Sequence, residues 1–375
     1  MFVVDNICIM VRVLHIVSAM NRGGIETFIM NVYRHINRDE IQFDFLLSVH
    51  ERCDYSDEIE NLGGRIYNIC SCGESLIKRW VTLNSFFLKH REYRIVHQHA
   101  SSLVDILPLI AAKKMGIPVR IMHSHNIKVD GVWFRKYIHY FNRLFINKYA
   151  TDLYACSESA AIWMYGLLNR NKYKIIYNGI DLNTFRYNQN AAAVMRKKFE
   201  IDDDDLVIGH VGRFHPMKNH LFLLKVFEKI LSIIPSAHLV LVGDGPLRPN
   251  IEKSIRELGL DNAVILTGVR DDVNNIMSMF DVLCLPSLYE GLGIVLIEAQ
   301  AMGISCVVSS VVPQEAKVLD SFKYVSLSSS ELVWADTIII ASQQLREQNA
   351  IQMVRDAKFD IKEVSILLKN KYLAS

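Results

Sequence analysis

The sequence has 375 residues, of which 50% are hydrophobic and 22% are charged, and its formal net charge at pH 7 is +2. This size and hydrophobicity suffice for two packed cores, whereas the small net charge excludes a disordered chain and a general nucleic-acid binder. The 7 cysteines are odd in number and scattered mostly through apolar runs, which predicts reduced thiols in a cytoplasmic protein.

The first predicted element is a buried strand over residues 11–17. The apolar stretch that leads into it is interrupted by Asp5, Asn6 and Arg12, which favours a short extension over a signal peptide. The sequence also contains no long uncharged stretch that predicts a membrane-spanning helix, so any membrane contact is expected to be peripheral.

Apolar, β-rich runs alternate with segments of helical period along the whole chain. After the first strand, such runs lie at 43–47, 95–97, 119–122, 206–211, 238–242, 264–267, 282–285 and 306–309. This alternation is typical of βαβ units and predicts an α/β fold with two doubly wound parallel sheets. We assign residues 1–186 to an N-terminal domain and 187–358 to a C-terminal domain, with a final helix over 359–375 that can pack back on the first.

A glycine pair, Gly23 and Gly24, follows the first strand directly, and a helical pattern begins near Glu26. A strand, a glycine loop and a helix N-terminus together favour an anion site, because the backbone N–H groups are free to meet a ligand. An ordinary tight turn explains the same residues, and the dinucleotide fingerprint is absent.

The second domain begins with a strand that ends near Arg213 and Lys218. Ligands of open α/β sheets bind outside the carboxyl ends of the strands, so two cations there suit a diphosphate. Either residue alone is explained by surface solvation. Gly243 and the segment 267–270 close the next two strands and are predicted to form the rim of the same pocket.

Two glutamates stand near the fourth strand of this domain. Glu290 lies in a glycine loop, and Glu298 lies inside the apolar helix that follows. Carboxylates accept hydrogen bonds from sugar or ribose hydroxyls, and a buried carboxylate without a partner is costly unless it has a function. The alternative is that Glu290 caps the helix and Glu298 lies on a solvated face.

The order and spacing of these motifs resemble those of the family-four glycosyltransferases of the GT-B fold, especially bacterial exopolysaccharide and capsule enzymes. The segments that carry the resemblance are 14–17, Gly23-Gly24, 123–126, 178–181, Gly212-Arg213, Lys218-Asn219, 243–246 and the pair Glu290 and Glu298. The resemblance runs through nearly the whole chain. It implies two Rossmann-like domains facing a cleft, the first binding the acceptor and the second the nucleotide-sugar donor.

The resemblance also implies roles for individual residues. Arg213 and Lys218 would bind the diphosphate, Glu298 the ribose, and Glu290 hydroxyls of the transferred sugar. The donor-binding set is completed by Gly23 and Gly24 at the diphosphate, by Gly243 at the pocket rim, by Val269 and Arg270 at the base, and by backbone N–H groups of Gly291, Leu292, Gly293 and Ile294 at the sugar. The implied catalytic set is His125, Arg213, Lys218 and Glu290.

Two histidines, His123 and His125, are predicted to follow a strand end and to face the cleft. Enzymes of the family often have a histidine near the donor sugar, and His125 matches that position better than His123. His123 and Asn126 are predicted on the acceptor side. A structural role explains either histidine equally well.

Retention of configuration is implied by the family, with the leaving phosphate assisting deprotonation of the acceptor. No carboxylate is predicted as a nucleophile. Because cationic side chains can stabilise the leaving diphosphate, no metal and no cofactor are expected beyond the nucleotide diphosphate sugar, for which the family favours UDP.

The segment 132–149 mixes aromatic residues with Arg135, Lys136, Arg143 and Lys148. A basic aromatic helix can lie on an anionic membrane, which would suit a lipid-linked acceptor on the inner membrane face. A core helix with a basic outer stripe is the alternative.

The sequence as a whole predicts a glycosyltransferase that moves a hexose or N-acetylhexosamine from a nucleotide diphosphate sugar to a growing, lipid-linked polysaccharide. Two alternatives remain open. A sugar-nucleotide epimerase of the same fold would rearrange the donor without an acceptor, and a non-catalytic nucleotide-sugar binding protein would bind the donor only.

Overall fold

The computed structural model describes residues 10–71, 73–126 and 133–374. The chain divides into two compact units, one made of Met1–Gly179 with Ile361–Ser375 and one made of Ile180–Asp360. The chain leaves the first unit after Gly179, which is seven residues before the boundary predicted from the sequence. It returns to the first unit after Asp360, which is two residues after the predicted boundary. The predicted N-terminal extension at 1–9, Cys72 and the first residue of the segment 132–149 lie outside the described residues.

The elements of the first unit, before the chain leaves it, are β1 (Val11–Val17), α1 (Gly24–His35), β2 (Ile41–Leu47), α2 (Ser56–Asn61), β3 (Ile66–Asn68), α3 (Leu76–Lys89), β4 (Ile95–Ala100), α4 (Leu107–Lys114), β5 (Val119–Ser124), α5 (Phe134–Tyr149), β6 (Asp152–Ala155), α6 (Glu158–Tyr165) and β7 (Tyr173–Ile175), with a 3-10 turn at Leu167–Asn169.

The second unit contains α7 (Gln189–Lys198), β8 (Val207–Val211), α8 (His220–Ile233), β9 (His238–Val242), α9 (Arg248–Glu257), β10 (Val264–Gly268), α10 (Val273–Ser278), β11 (Val282–Leu285), α11 (Ile294–Ala301), β12 (Ser305–Ser309), β13 (Phe322–Val325), α12 (Glu331–Ser342) and α13 (Ala350–Asp356), with 3-10 turns at Pro216–Lys218 and Gln314–Ala316. The chain then returns to the first unit as α14 (Ile361–Leu373).

Both units are built on parallel sheets, which confirms the predicted α/β class. The described strands of the first unit pair in the order β3-β2-β1-β4-β5-β6-β7, and those of the second in the order β10-β9-β8-β11-β12-β13. Each order reverses beside its first strand, so the carboxyl ends of β1 and β4, and of β8 and β11, flank the position where open sheets bind ligands.

The strands are buried because helices cover both faces of each sheet. In β2 every residue is buried, and in the second unit Leu239, Leu241 and Trp334 belong to one apolar core. The final helix α14 packs on α1, β1 and β2, and its Tyr372 is fully buried in the core of the first unit. The five described cysteines are buried thiols, and none forms a disulfide with another.

Helix α5 differs from these buried elements, because most of its residues are exposed to solvent. Only His139 and Ile146 of its residues are buried, whereas Trp133 beside it and Leu144 are 76% and 75% exposed. The alternative prediction of a core helix is therefore wrong. None of the helices within the described ranges is long and apolar enough to span a membrane.

Candidate functional site

The loops at the carboxyl ends of β8, β9 and β10 are joined to one another by backbone hydrogen bonds. Gly212 N–H donates to the Val242 carbonyl, and Gly243 N–H donates to the Gly268 carbonyl, both at 2.9 Å. These bonds bring the predicted rim residues Gly243 and Val269 to one end of the sheet.

Gly243 is required at this point for two reasons. Its φ of +135° lies in a region that side-chain-bearing residues rarely adopt, and a Cβ on it would lie 2.2 Å from the Gly212 carbonyl oxygen. The close approach of the two loops therefore depends on the absence of a side chain.

Lys218 and Glu290 form an ion pair across the loops that follow β8 and β11. The Lys218 Nζ lies 2.6 Å from Glu290 Oε1, and the two side chains are only 12% and 7% exposed. The Ser287 hydroxyl donates to the same carboxylate oxygen at 2.7 Å. A backbone bond from Leu288 N–H to the Met217 carbonyl, at 2.8 Å, holds the loops in this register. The two predicted residues thus pair with each other, and Lys218 keeps donors that can turn to an added anion.

Glu298 lies in α11 and is 8% exposed, so the alternative of a solvated face is wrong. Burial raises the pKa of its carboxyl to about 8. None of the described residues donates a hydrogen bond to it. At neutral pH Glu298 therefore holds its proton, and a ligand hydroxyl would meet a group that can both donate and accept.

The other predicted donor residues differ in their surroundings. Arg213 is exposed, and its guanidinium forms no hydrogen bond or ion pair with any residue that the structure describes. Arg270 is paired with Asp272 at 2.6 Å, which raises the pKa of the guanidinium. Gly293 precedes α11 with a φ of +78°, so the helix begins at Ile294 and Glu290 does not cap it. The predicted backbone contacts of 291–294 with a sugar stay a prediction.

In the first unit, Gly23 and Gly24 are exposed at the start of α1. The space beside Gly24 is open, whereas the carboxylate of Glu26 lies directly against Gly23. An acid in the first turn competes with an added anion for the helix N-terminus. The assignment of both glycines to a diphosphate stays a prediction.

The prediction that His123 follows a strand end is wrong. Strand β5 continues through His123 to Ser124, and the His123 side chain is fully buried in the interior. His125 comes directly after the strand, and its backbone N–H donates to the Ala100 carbonyl at 3.2 Å. Neighbouring Asn126 is half-buried.

Both histidines belong to a cluster of five buried imidazoles on one face of the sheet, contributed by β1, β4, β5 and the residue that follows β5. In one chain, His15 Nδ1 lies 2.9 Å from His99 Nε2, and His99 Nδ1 lies 2.9 Å from His125 Nε2. In a second chain, the Tyr372 hydroxyl lies 2.7 Å from His97 Nδ1, and His97 Nε2 lies 3.2 Å from His123 Nδ1.

The two chains lie against each other. The rings of His97 and His99 are stacked at 4.2 Å, and those of His123 and His125 approach to 4.1 Å. Burial lowers the pKa of His15 and of His125 to about 3, with Asn178 partly opposing the effect at His125. It also lowers the pKa of the other three well below the usual value. All five rings are therefore neutral at pH 7.

Sequence reasoning assigned no role to His15, His97, His99, Asn178 and Ser287, although the segments 14–17 and 178–181 contributed to the resemblance. A signal existed for the histidines, since 97 and 99, like 123 and 125, are two residues apart and so lie on one face of a strand. The signal did not reveal that β1, β4 and β5 are neighbours. His99, His123 and His125 bring ligand atoms within 4.8 Å of one another, so the chemistry of a metal ligand set is also present.

Two family models match the chain and between them cover most of it. The model for Glycosyltransferase Family 4 matches residues 22–184, and the model for glycosyl transferases group 1 matches residues 192–350.

The chain is also similar to individual proteins. The putative glycosyltransferase EpsF of Bacillus subtilis is 39% identical over 338 residues, which are 88% of each chain. The UDP-Gal:alpha-D-GlcNAc-diphosphoundecaprenol alpha-1,3-galactosyltransferase of Escherichia coli is 30% identical over 75% of each chain. The crystal structure of Anabaena HepE in complex with UDP and glucose has the same fold, with a TM-score of 0.80 over 97% of this chain and 99% of that one, at 18% identity.

Proposed function

Because the chain belongs to the family-four glycosyltransferases of the GT-B fold, we propose that it moves a hexose or N-acetylhexosamine from a nucleotide diphosphate sugar to a growing, lipid-linked polysaccharide, with retention of configuration. The observation that carries the proposal is the Lys218–Glu290 pair at the carboxyl ends of β8 and β11. A cation and a carboxylate side by side match a ligand that carries both phosphate and hydroxyl groups.

In the proposed complex, Lys218 and Arg213 bind the diphosphate, and Glu290 accepts hydrogen bonds from the sugar. Glu298 binds the ribose as a neutral acid, and the backbone at Val269 and Arg270 meets the base. Charge that develops on the leaving phosphate is stabilised by the two cations. UDP is the favoured nucleotide, since HepE was crystallised with UDP and the Escherichia coli relative is named for UDP-Gal.

The first experiment measures thermal stabilisation by UDP, GDP and their sugar conjugates. A selective rise in Tm identifies the nucleotide, because a ligand that binds only the folded state stabilises it. Lys218→Ala should abolish the rise, whereas Lys225→Ala, an exposed lysine on the outside of α8, should preserve it. If no nucleotide stabilises the wild type, the donor site is wrong.

A transfer assay separates the proposal from its alternatives. With the identified nucleotide sugar and a lipid diphosphate-linked saccharide, we expect a longer saccharide and free nucleotide diphosphate. Rearranged sugar nucleotide formed without an acceptor would instead indicate an epimerase. Tight donor binding with no product, and no change in Glu290→Gln, would indicate a binding protein.

We further propose that α5 lies on the cytoplasmic face of an anionic membrane. Its outer side exposes Tyr137, Phe141 and Leu144, and the helix carries basic residues but no acidic ones. Exposed apolar side chains grouped on one helix are typical of an interaction surface, and the positive charge complements anionic headgroups. A lipid-linked acceptor, as named for the Escherichia coli relative, would be presented at the same surface.

The apolar surface extends beyond the helix. Arg143 packs against Gly166, and Asn147 Nδ2 donates to Asn169 Oδ1 at 2.7 Å, so the 3-10 turn at Leu167–Asn169 lies beside α5. In that turn Leu168 is 99% exposed. A continuous surface of this kind can insert into a bilayer interface.

Vesicle flotation tests the membrane proposal. The wild type should float with vesicles of phosphatidylcholine and phosphatidylglycerol and should be released by salt. The double variant Phe141→Ser, Leu144→Ser should remain in solution. The control Ile77→Ser, Leu345→Ser removes two apolar residues elsewhere that are even more exposed, and it should float like the wild type. Equal flotation of both double variants would contradict the proposal.

A further inference from the structure

One buried histidine of the second unit, His210 in β8, has a ring nitrogen without a hydrogen-bond partner. Its Nδ1 lies 2.9 Å from the Cys284 carbonyl oxygen. A carbonyl oxygen can only accept, so Nδ1 carries the proton of the neutral ring and Nε2 presents a lone pair. This Nε2 is buried, and none of the residues that the structure describes donates to it. A buried acceptor of this kind calls for a partner.

The Lys218 side chain lies beside this nitrogen. From the position that a Cβ on Gly212 would take, Lys218 Cε is 3.2 Å away and His210 Nε2 is 3.6 Å away, so both atoms border the same small space. Burial lowers the pKa of His210 well below its usual value, and the neighbouring His220 and Lys218 add to the effect. The ring is therefore neutral, and the ammonium is near enough for its charge to act on it.

The absence of a side chain at Gly212 keeps this space open. The φ of Gly212 is not positive, so its backbone conformation does not itself require glycine. A Cβ at this position would instead press on the Lys218 side chain. Glycine therefore gives the lysine room to turn toward His210.

The backbone around Lys218 is held to the loop that follows β11. Leu288 N–H donates to the Met217 carbonyl at 2.8 Å, and Asn219 Nδ2 donates to the Pro286 carbonyl at 3.2 Å. A lysine has a flexible four-carbon stem, so its ammonium can change partners by rotation of side-chain bonds while the backbone stays in place.

We propose that His210 is a positioning residue for Lys218: when a diphosphate draws the ammonium away from Glu290, His210 Nε2 accepts one of its N–H groups and holds it toward the phosphate. The ammonium lies 2.6 Å from Glu290 Oε1, and its three N–H groups suffice for a phosphate oxygen and His210 together. The movement frees the Glu290 carboxylate for a sugar hydroxyl. The inference rests on the proposed function for the diphosphate site.

Two amide side chains of different length separate the acceptor role of His210 from its role in packing. An asparagine amide reaches the position of Nδ1 and can donate to the Cys284 carbonyl, but it offers nothing at the position of Nε2. A glutamine amide reaches the position of Nε2, where its oxygen can accept from Lys218. His210→Asn therefore removes the proposed contact, and His210→Gln preserves it.

Isothermal titration calorimetry with UDP and with inorganic pyrophosphate measures the difference. We expect His210→Asn to weaken the binding of both about tenfold, the size of one lost hydrogen bond to a charged group, and His210→Gln to bind within about twofold of the wild type. The control is His220→Phe, at a buried ring 4.5 Å from that of His210, and it should bind like the wild type. Equal affinities of the two amide variants, or an equal loss in the control, would overturn the proposal.

A measurement on the wild type is independent of how the variants fold. In 15N-histidine-labelled protein, with the signals of His210 assigned from His210→Gln, we expect a proton on Nδ1 and none on Nε2. Addition of pyrophosphate should shift the Nε2 signal, because a hydrogen bond forms there, and should leave the Nδ1 signal nearly unchanged. A proton on Nε2, or an Nε2 signal that does not respond to saturating pyrophosphate, would contradict the positioning role.

The outcomes separate this inference from its premise. If the Nε2 signal responds and the two amide variants differ, but no saccharide is transferred from any donor, the proposed function fails and the positioning role of His210 stands. If transfer proceeds and Lys218→Ala abolishes UDP binding, while the two amide variants bind alike, the function stands and the positioning role is wrong. If neither UDP nor pyrophosphate binds the wild type, both are wrong.

Discussion

The two units have the same kind of sheet but opposite electrostatics at the carboxyl ends of their strands. In the first unit, five buried imidazoles are kept neutral by desolvation and are connected by hydrogen bonds. In the second, Lys218 and Glu290 form an ion pair at the edge of the interior. The difference shows two ways of avoiding the cost of a buried charge, one by losing the proton and one by adding a partner.

Acid is expected to destabilise the first unit more than the second, and this is the largest of the expected effects. Among the described residues, six histidines of the first unit, the five of the cluster and His139, have lowered pKa values, against His210 and His220 in the second. The unfolded chain binds protons below about pH 6.5 that the folded protein refuses, so folding is favoured above that pH and loses stability below it. The loss is about 1.4 kcal/mol per pH unit for each histidine.

Hydrogen exchange measured by mass spectrometry between pH 7.5 and 5 would locate the effect. Peptides from β4 and β5 should lose protection before peptides from β9 and β11. His97→Phe, which removes one of the titrating groups, should show a shallower loss in the first unit. Simultaneous loss in both units would show that the imidazole cluster does not govern acid stability.

The charged pair is expected to dominate catalysis. Glu290→Gln keeps the shape of the side chain but removes the charge opposite Lys218, and we expect kcat to fall by about 10²–10³, as for other groups that stabilise a transition state. Ser287→Ala removes only the neutral donor and should cost about tenfold or less. Steady-state transfer kinetics on both variants measure the difference, and a fall confined to KM would indicate uniform binding instead.

Glu298 tests the comparison of the two units further, because it is a neutral carboxylic acid in the same unit as the Lys218–Glu290 ion pair. Its pKa is raised to about 8, so its contribution to stability is present below the unfolded value and is lost as the pH rises through 8. Glu298→Gln should remove this dependence, leaving the variant nearly equal to the wild type at about pH 4.5 and more stable than the wild type at about pH 8. Urea unfolding at the two pH values is the measurement, and parallel curves would contradict it.

Chelation is expected to have the smallest effect. Because Arg213 and Lys218 supply the positive charge that the diphosphate needs, the transfer rate with EDTA should equal the rate without it. A rate that falls in EDTA and recovers with Mg²⁺ would show that the second unit relies on a metal in addition to its own cations.

The fold was largely predictable because most of its strands are buried on both faces and read as continuous apolar runs. The strands that sequence reasoning missed, β3, β6, β7 and β13, have only three or four residues each. Apolar runs of this length also occur in helices and loops, so they do not by themselves predict a strand.

The candidate site was predictable where a functional side chain follows a strand end closely in the sequence, as at Lys218 and Glu290. It was not predictable where pairing between distant strands creates it. His15 and His99 are 84 residues apart, and their contact depends on the crossover that places β1 beside β4. A pattern of two-residue spacing identifies a face of a strand, but only the sheet order identifies what that face meets.

The bond between Tyr372 and His97 has a consequence for biosynthesis. The two residues are 275 positions apart, and the whole second unit is translated between them. On the ribosome the second unit can therefore fold while the histidine face of the first sheet still lacks α14. Until that helix arrives, the nascent first unit exposes apolar and imidazole surface, and this interval is where a chaperone would be needed.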